Sequence, residues 1–103
     1  MRLVANTLLA YLKLSDWDTV VHIGMRTIRI MRRGEEDLEP EEEAWGNAWM
    51  AGPEMGKIYY RTALAFKEKD DKYEARRLLK VAVLYLPNDP RVKELIAECA
   101  LRI

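Results

Sequence analysis

The chain has 103 residues, half of them apolar, which is enough for one small hydrophobic core and one domain. Seventeen Lys and Arg balance seventeen Asp and Glu, which excludes the basic excess of a general nucleic-acid binder. No apolar run approaches the roughly 20 residues that span a bilayer, and residues 1–10 lack the basic start and long apolar core of a signal peptide, so the chain reads as soluble and untargeted.

Taken in chain order, the apolar residues recur at helical spacing, and strand-like alternation never persists. Leu3, Leu8, Tyr11, Leu12 and Leu14 mark a first helix. Ser15, three residues before Asp18, offers a capping-box start for a second helix, which runs through Val20, Val21, Ile23, Met25, Ile28 and Ile30 to about Gly34. Residues 34–55 interrupt the pattern with Gly34, Pro40, Gly46, Gly52 and Pro53, leaving room for one short helix around 41–50. A third helix is expected from Lys57 to about Lys69. Asp71 with Glu74 then repeats the capping signature ahead of a fourth helix ending near Tyr85. Pro87, Asn88, Asp89 and Pro90 stop it and start a last helix whose stripe is Val92, Leu95, Ile96, Cys99, Ala100 and Ile103.

Charge is segregated along this order. Residues 35–55 hold eight acids and no base, which leaves nine acids against all 17 bases elsewhere. A basic helical scaffold therefore carries one acidic insert, read as a solvated loop. Trp45 and Trp49 in it lie four apart and are expected to pack on the scaffold. Arg26, Arg29, Arg32 and Arg33 sit where cations complement the negative end of the second helix. Cys99 is the only cysteine, so no intrachain disulfide can form, and a reducing, cytoplasmic setting is expected. One His and one Cys make no metal cage, and buried structural roles are expected for His22 and Cys99. With no phosphate loop, nucleophile elbow or metal-binding helix motif, no catalytic residue, metal or cofactor is assigned.

The segment Ala10 to Asp16 superimposes on Ala65 to Asp71 at an offset of 55, which is one 34-residue period plus a 21-residue insert. Counted from Met1, the first copy places Ala10, Tyr11, Asp16, Trp17 and Val20; counted from Gly56, the second places Tyr59, Ala63, Ala65, Phe66, Ala75, Ala82 and Pro87. On these residues the chain resembles the tetratricopeptide repeat family, with Asp70 in place of the usual turn glycine and Lys72 in place of an aromatic. The resemblance implies an all-α fold in which antiparallel helical hairpins stack as a short α-solenoid: a repeat over 1–34, the acidic insert 35–55, a repeat over 56–89 and a capping helix over 90–103.

In that family the first helix of each hairpin lines a concave groove. Here this selects Arg2, Ala5, Asn6, Leu9, Leu12 and Lys13, then Lys57, Tyr60, Arg61, Leu64, Lys67 and Glu68, a basic trough with an apolar floor. The strings around Asn6 and around Lys57 to Arg61 are similar to the domains of immunophilin-type heat-shock co-chaperones, which clamp the carboxylates of a chaperone's C-terminal Glu-Glu-Val-Asp tail. Asn6, Lys57 and Arg61 match three clamp positions; the other two belong to a repeat with no counterpart ahead of Met1. The resemblance implies a non-enzymatic peptide-binding module with Asn6, Leu9, Lys13, Lys57, Tyr60, Arg61 and Leu64 as its site and an acidic C-terminal peptide as its partner, with no nucleic acid or membrane. Two alternatives stand beside it: self-assembly of copies through the exposed face of the first helix, and the C-terminal part of a larger immunophilin-like protein.

Overall fold

The computed structural model describes residues 2–32, 38–46 and 53–100, and all regular structure among them is helical. The helices are α1 (Arg2–Lys13), α2 (Trp17–Met31), α3 (Pro40–Gly46), α4 (Pro53–Glu68), α5 (Lys72–Tyr85) and α6 (Pro90–Ala100). α4 starts at Pro53, ahead of the expected Lys57, because proline fits a first helical turn, where its missing N–H is not needed. Pro40 and Pro90 open α3 and α6 in the same way. α2 stops at Met31; Gly34, Trp49 and Gly52 lie outside the described residues.

The turns α1–α2 and α4–α5 are the same structure 55 residues apart. In the first, Ser15 N–H donates to Leu12 O at 3.0 Å and Asp16 N–H to Tyr11 O at 3.0 Å. In the second, Asp70 N–H donates to Lys67 O at 3.0 Å and Asp71 N–H to Phe66 O at 2.8 Å. This is the Schellman pairing, which needs one left-handed residue, and Ser15 and Asp70 supply it at φ 57° and 63°. Asp16 and Asp71 then cap the following helices, accepting from the amides of Thr19 and Glu74 at 3.2 Å each. The cap over α2 is thus Asp16 rather than Ser15, which the left-handed turn removes from a capping position. Each aspartate's own N–H is spent on the Schellman bond, so no side chain needs to reach back to it as a capping box would require.

Both left-handed positions hold residues with a Cβ, which that conformation penalises. Ser15→Gly and Asp70→Gly are each expected to raise stability by about 0.5–1 kcal/mol, net of glycine's greater freedom in the unfolded chain. Urea denaturation followed by circular dichroism checks this, and a loss of stability in both variants would contradict the turn geometry.

α4 is the central helix. It packs against α1 and α2 on one side and α5 on another, with α6 meeting α5 and the edge of α4. Thr62, Ala63 and Ala65 are buried on it beside the larger Met55, Ile58 and Tyr59, and such small side chains let neighbouring helices approach closely. α2 and α4 meet where Gly24 faces Thr62. Thr62 gives its hydroxyl to Ile58 O at 2.7 Å, so a polar group is buried without loss.

The acidic insert is more than a solvated loop, because α3 is fastened to the scaffold. Glu43 is only 3% exposed and accepts from the Tyr59 hydroxyl at 2.5 Å. Arg32 Nε, also buried, lies 2.9 Å from the same carboxylate, at ion-pair distance, although the N–H does not point along that line. Tyr85 donates to Ala44 O at 3.0 Å, and its ring stacks on that of Tyr59 with centroids 6.2 Å apart. The α2 and α5 backbones do not approach closely among the described residues, and this network joins the end of α2 to α4 and α5 through α3. Arg32, expected only to complement the negative end of α2, is in addition a buried partner of Glu43; Arg26 and Arg29 remain exposed.

Candidate functional site

α1, α4 and α6 lie side by side, α1 against α4 and α4 against α6, so their outward faces form one surface. The sequence-selected residues differ in exposure. Asn6 and Lys13 are exposed, and Leu9, Lys57, Tyr60, Arg61 and Leu64 are half-buried. Ala5 is wholly buried and does not line it, because the contact with α4 covers its small side chain.

Arg61 ties two of these helices together. Its Nη1 donates to Ala5 O at 2.6 Å, so the guanidinium lies against the backbone next to Asn6. Asn6 and Arg61, 55 residues apart in sequence, are thereby brought to one place. Burial lowers the Arg61 pKa from its ordinary value, with nearby Glu54 opposing the shift and Arg91 adding to it. The group stays cationic, since guanidinium does not deprotonate in proteins, and partial desolvation makes it a stronger partner for a carboxylate.

Lys57, one turn before Arg61, pairs with Glu54 at 3.6 Å. Both side chains are partly exposed, and pairs of this kind hold little energy, so a ligand carboxylate can displace Glu54. Glu54 belongs to the acid-rich stretch, so part of that stretch answers the scaffold's positive charge locally.

Sequence reading missed the contribution of α6. Arg91 lies over the Tyr60 ring, 5.9 Å from its centroid, and is itself held by Asp89 at 3.2 Å. Burial pushes the Tyr60 phenol above its ordinary value, and Arg91 partly offsets this. Lys67 reaches Glu98 across the α4–α6 contact at 3.5 Å. The signal was available: continuing the register of Arg2 and Lys57 by one further 34-residue step reaches Arg91, a third cation at the same position. The surface is thus cationic around Lys57, Arg61 and Arg91 and becomes mixed toward Glu94 and Glu98.

The remaining candidates separate clearly. Cys99 is buried, and burial raises its thiol pKa, which keeps it protonated and unreactive. His22, expected inside, is exposed, because the buried face of α2 is taken by Val20, Gly24, Met25 and Ile28. Among the described residues no three His, Cys, Asp or Glu side chains converge as a metal ion requires, and no helix is long and apolar enough to cross a membrane. Comparison with known proteins finds no relative: no family model matches the chain, and no curated protein or solved structure does.

Proposed function

We propose that the chain is a tetratricopeptide-like interaction module, two hairpins and a closing helix stacked as a short solenoid, which binds an extended acidic C-terminal peptide on the face of α1, α4 and α6. The ligand class is that of a heat-shock chaperone's Glu-Glu-Val-Asp tail, and the role is adaptor rather than enzyme, in the cytoplasm. The observation that carries this reading is the placement of Arg61: its guanidinium sits at the α1–α4 junction beside Asn6, one turn from Lys57 and near Arg91. Three cations around a half-buried floor of Leu9, Tyr60 and Leu64 suit two carboxylates and an apolar side chain between them. The repeated Schellman turns support the solenoid part of the reading, since a duplicated hairpin is the unit such a stack is made from.

Fluorescence anisotropy with a labelled peptide ending in Glu-Glu-Val-Asp tests it. Binding is expected at low salt and should weaken as salt rises, because the charges that attract the peptide are still partly open to solvent. Lys57→Ala should reduce affinity by about tenfold, and Lys57→Ala with Arg61→Ala by about 100-fold, at roughly 1.4 kcal/mol per factor of ten. The single variant carries weight of its own, because Arg61 also bonds Ala5 O and its loss disturbs the α1–α4 junction, whereas Lys57 holds only the weak pair with Glu54. Affinity unchanged in both variants would remove the clamp.

A further inference from the structure

We propose that the cleft between α3 and α5 binds a small phosphate monoester, with the phosphate on Arg76, Arg77 and Lys80 and the body of the molecule on Leu38, Pro40 and Val81. All six residues line one cavity of about 200 Å³. It lies where α3 packs on α5, and none of its lining residues belongs to α1, α4 or α6, so it is separate from the surface that carries Lys57 and Arg61.

Local sequence brings the cations together. At 100° per residue, Tyr73, Arg76, Arg77 and Lys80 fall within about 100° of one another on α5. The buried stripe of Ala75, Leu78, Leu79 and Ala82 takes the opposite side of the helix. A cationic stripe alone would be a solvated helix surface, and two observations distinguish this one. It is walled, because Leu38 and Pro40 at the entry to α3, both half-buried, and the buried Val81 line the same space. Its cations are also left without acids although acids are at hand. Among the described residues Arg76 and Lys80 have no ion-pair partner, and Arg77 has only Glu74, one turn back at 3.8 Å. Glu39 and Glu43 line the cavity too, but Glu43 is held by Arg32 and Tyr59 instead. Arg32 answers the charge of Glu43, which leaves three cations facing the single exposed Glu39.

The chemistry of the occupant follows from this inventory. Three cationic side chains outnumber the two oxygens of a carboxylate and match the three acceptor oxygens and nearly double charge of a phosphate monoester at neutral pH. A guanidinium can hold two of those oxygens through parallel bonds, and the Lys80 ammonium adds a compact charge. The apolar walls suit a small organic body, and Tyr73, 69% exposed at the same cavity, offers its ring to a flat group. The volume is below the roughly 300–1,000 Å³ of sites for drug-sized ligands, so there is room for one phosphate on a ring-sized body but not for a nucleotide. Glu39 can accept from a hydroxyl on that body and repels a second phosphate.

Phenyl phosphate is the probe, titrated at constant ionic strength into the ¹⁵N-labelled full chain. It should shift amides of residues 38–43 and 73–81, leave those of α1 in place, and bind about tenfold more tightly than inorganic phosphate because its ring rests on the apolar walls. Arg77→Gln and Lys80→Gln should each weaken both probes by about five- to tenfold; neither side chain is buried, so the fold is retained. Leu38→Ala should weaken phenyl phosphate by about fivefold and leave inorganic phosphate unchanged. Lys57→Ala, on the peptide face, should change neither. The absence of shifts up to about 20 mM phenyl phosphate overturns the proposal. So do shifts centred on Lys57 and Arg61, binding undiminished in the combined Arg77→Gln and Lys80→Gln variant, or phenol binding as tightly as phenyl phosphate. Phenyl phosphate binding no tighter than inorganic phosphate overturns the part given to the apolar walls.

Discussion

Gly24→Val is expected to lower stability by about 3 kcal/mol, a large share of what a domain of this size possesses. A Cβ at this position would lie 2.0 Å from Thr62 Oγ1, 2.8 Å from its Cγ2 and 2.9 Å from its Cβ. Rotating the threonine removes the first of these but not the last, and its hydroxyl is held by Ile58 O. The helices would have to separate, and Val adds two further methyl groups to the misfit. Gly24→Ala should cost less, about 1–2 kcal/mol, because alanine recovers about 1 kcal/mol of helix propensity. Combining Gly24→Ala with Thr62→Ala should recover part of that loss, giving a favourable coupling of about 1 kcal/mol in a double-mutant cycle. Urea denaturation reads all three, and a Gly24→Val protein as stable as wild type would mean that α2 and α4 do not cross here. Because α2 belongs to the first hairpin and α4 to the second, the same contact fixes how far Asn6 lies from Arg61. Gly24 variants that remain folded should therefore also bind the acidic peptide more weakly.

What could be read from the sequence followed from how local the responsible physics is. Helical periodicity and the proline and aspartate signals are local, and they place α1, α2, α4, α5 and α6 to within a few residues. The offset of 55 between Ala10 and Ala65 carried over into two turns that share the same Schellman pair of hydrogen bonds. Ser15 shows the limit even at short range: its sequence suits a cap, but the left-handed turn hands that role to Asp16. The non-local features were illegible. Glu43 belongs to a run of acids that looks uniform, and nothing in its neighbours says that it would be buried against Arg32 and Tyr59 while the described Glu41 and Glu42 stay exposed. Gly24 in mid-helix reads as a weak spot for α2 until Thr62 is known to lie across from it. Within the candidate site, the register rule selects exposed or half-buried positions on α1 and α4 except Ala5, which is buried. Arg91 escapes that rule because a helix read as a cap is not counted in its register.

Glu43→Ala is expected to destabilise the protein by about 3–5 kcal/mol, because it leaves the buried Arg32 charge without its carboxylate. Replacing both, as Arg32→Met with Glu43→Leu, should restore most of the loss, since two apolar side chains of similar volume avoid the desolvation cost altogether. The comparison separates burial of a charge from loss of packing: a packing defect alone would leave the double variant no better than the single one. Tyr59 adds a pH signature to the same network. Burial, and after it the hydrogen bond to Glu43, holds the Tyr59 phenol above its ordinary value. Below about pH 10 the folded and unfolded chains both keep the proton, and the contribution of the pair is intact. Above that pH the unfolded chain releases its proton while the folded chain does not, so stability should fall by up to about 1.4 kcal/mol per pH unit. Tyr59→Phe removes this alkaline slope and keeps the Glu43–Arg32 pair. Guanidinium denaturation at pH 7 and in the alkaline range decides it: an alkaline slope undiminished in Tyr59→Phe would mean that the phenol is not shielded where α3 docks. Since Glu43 is the residue through which α3 reaches both Arg32 and Tyr59, the Glu43→Ala protein should also release α3, and amide exchange over residues 40–46 should accelerate ahead of the rest of the chain.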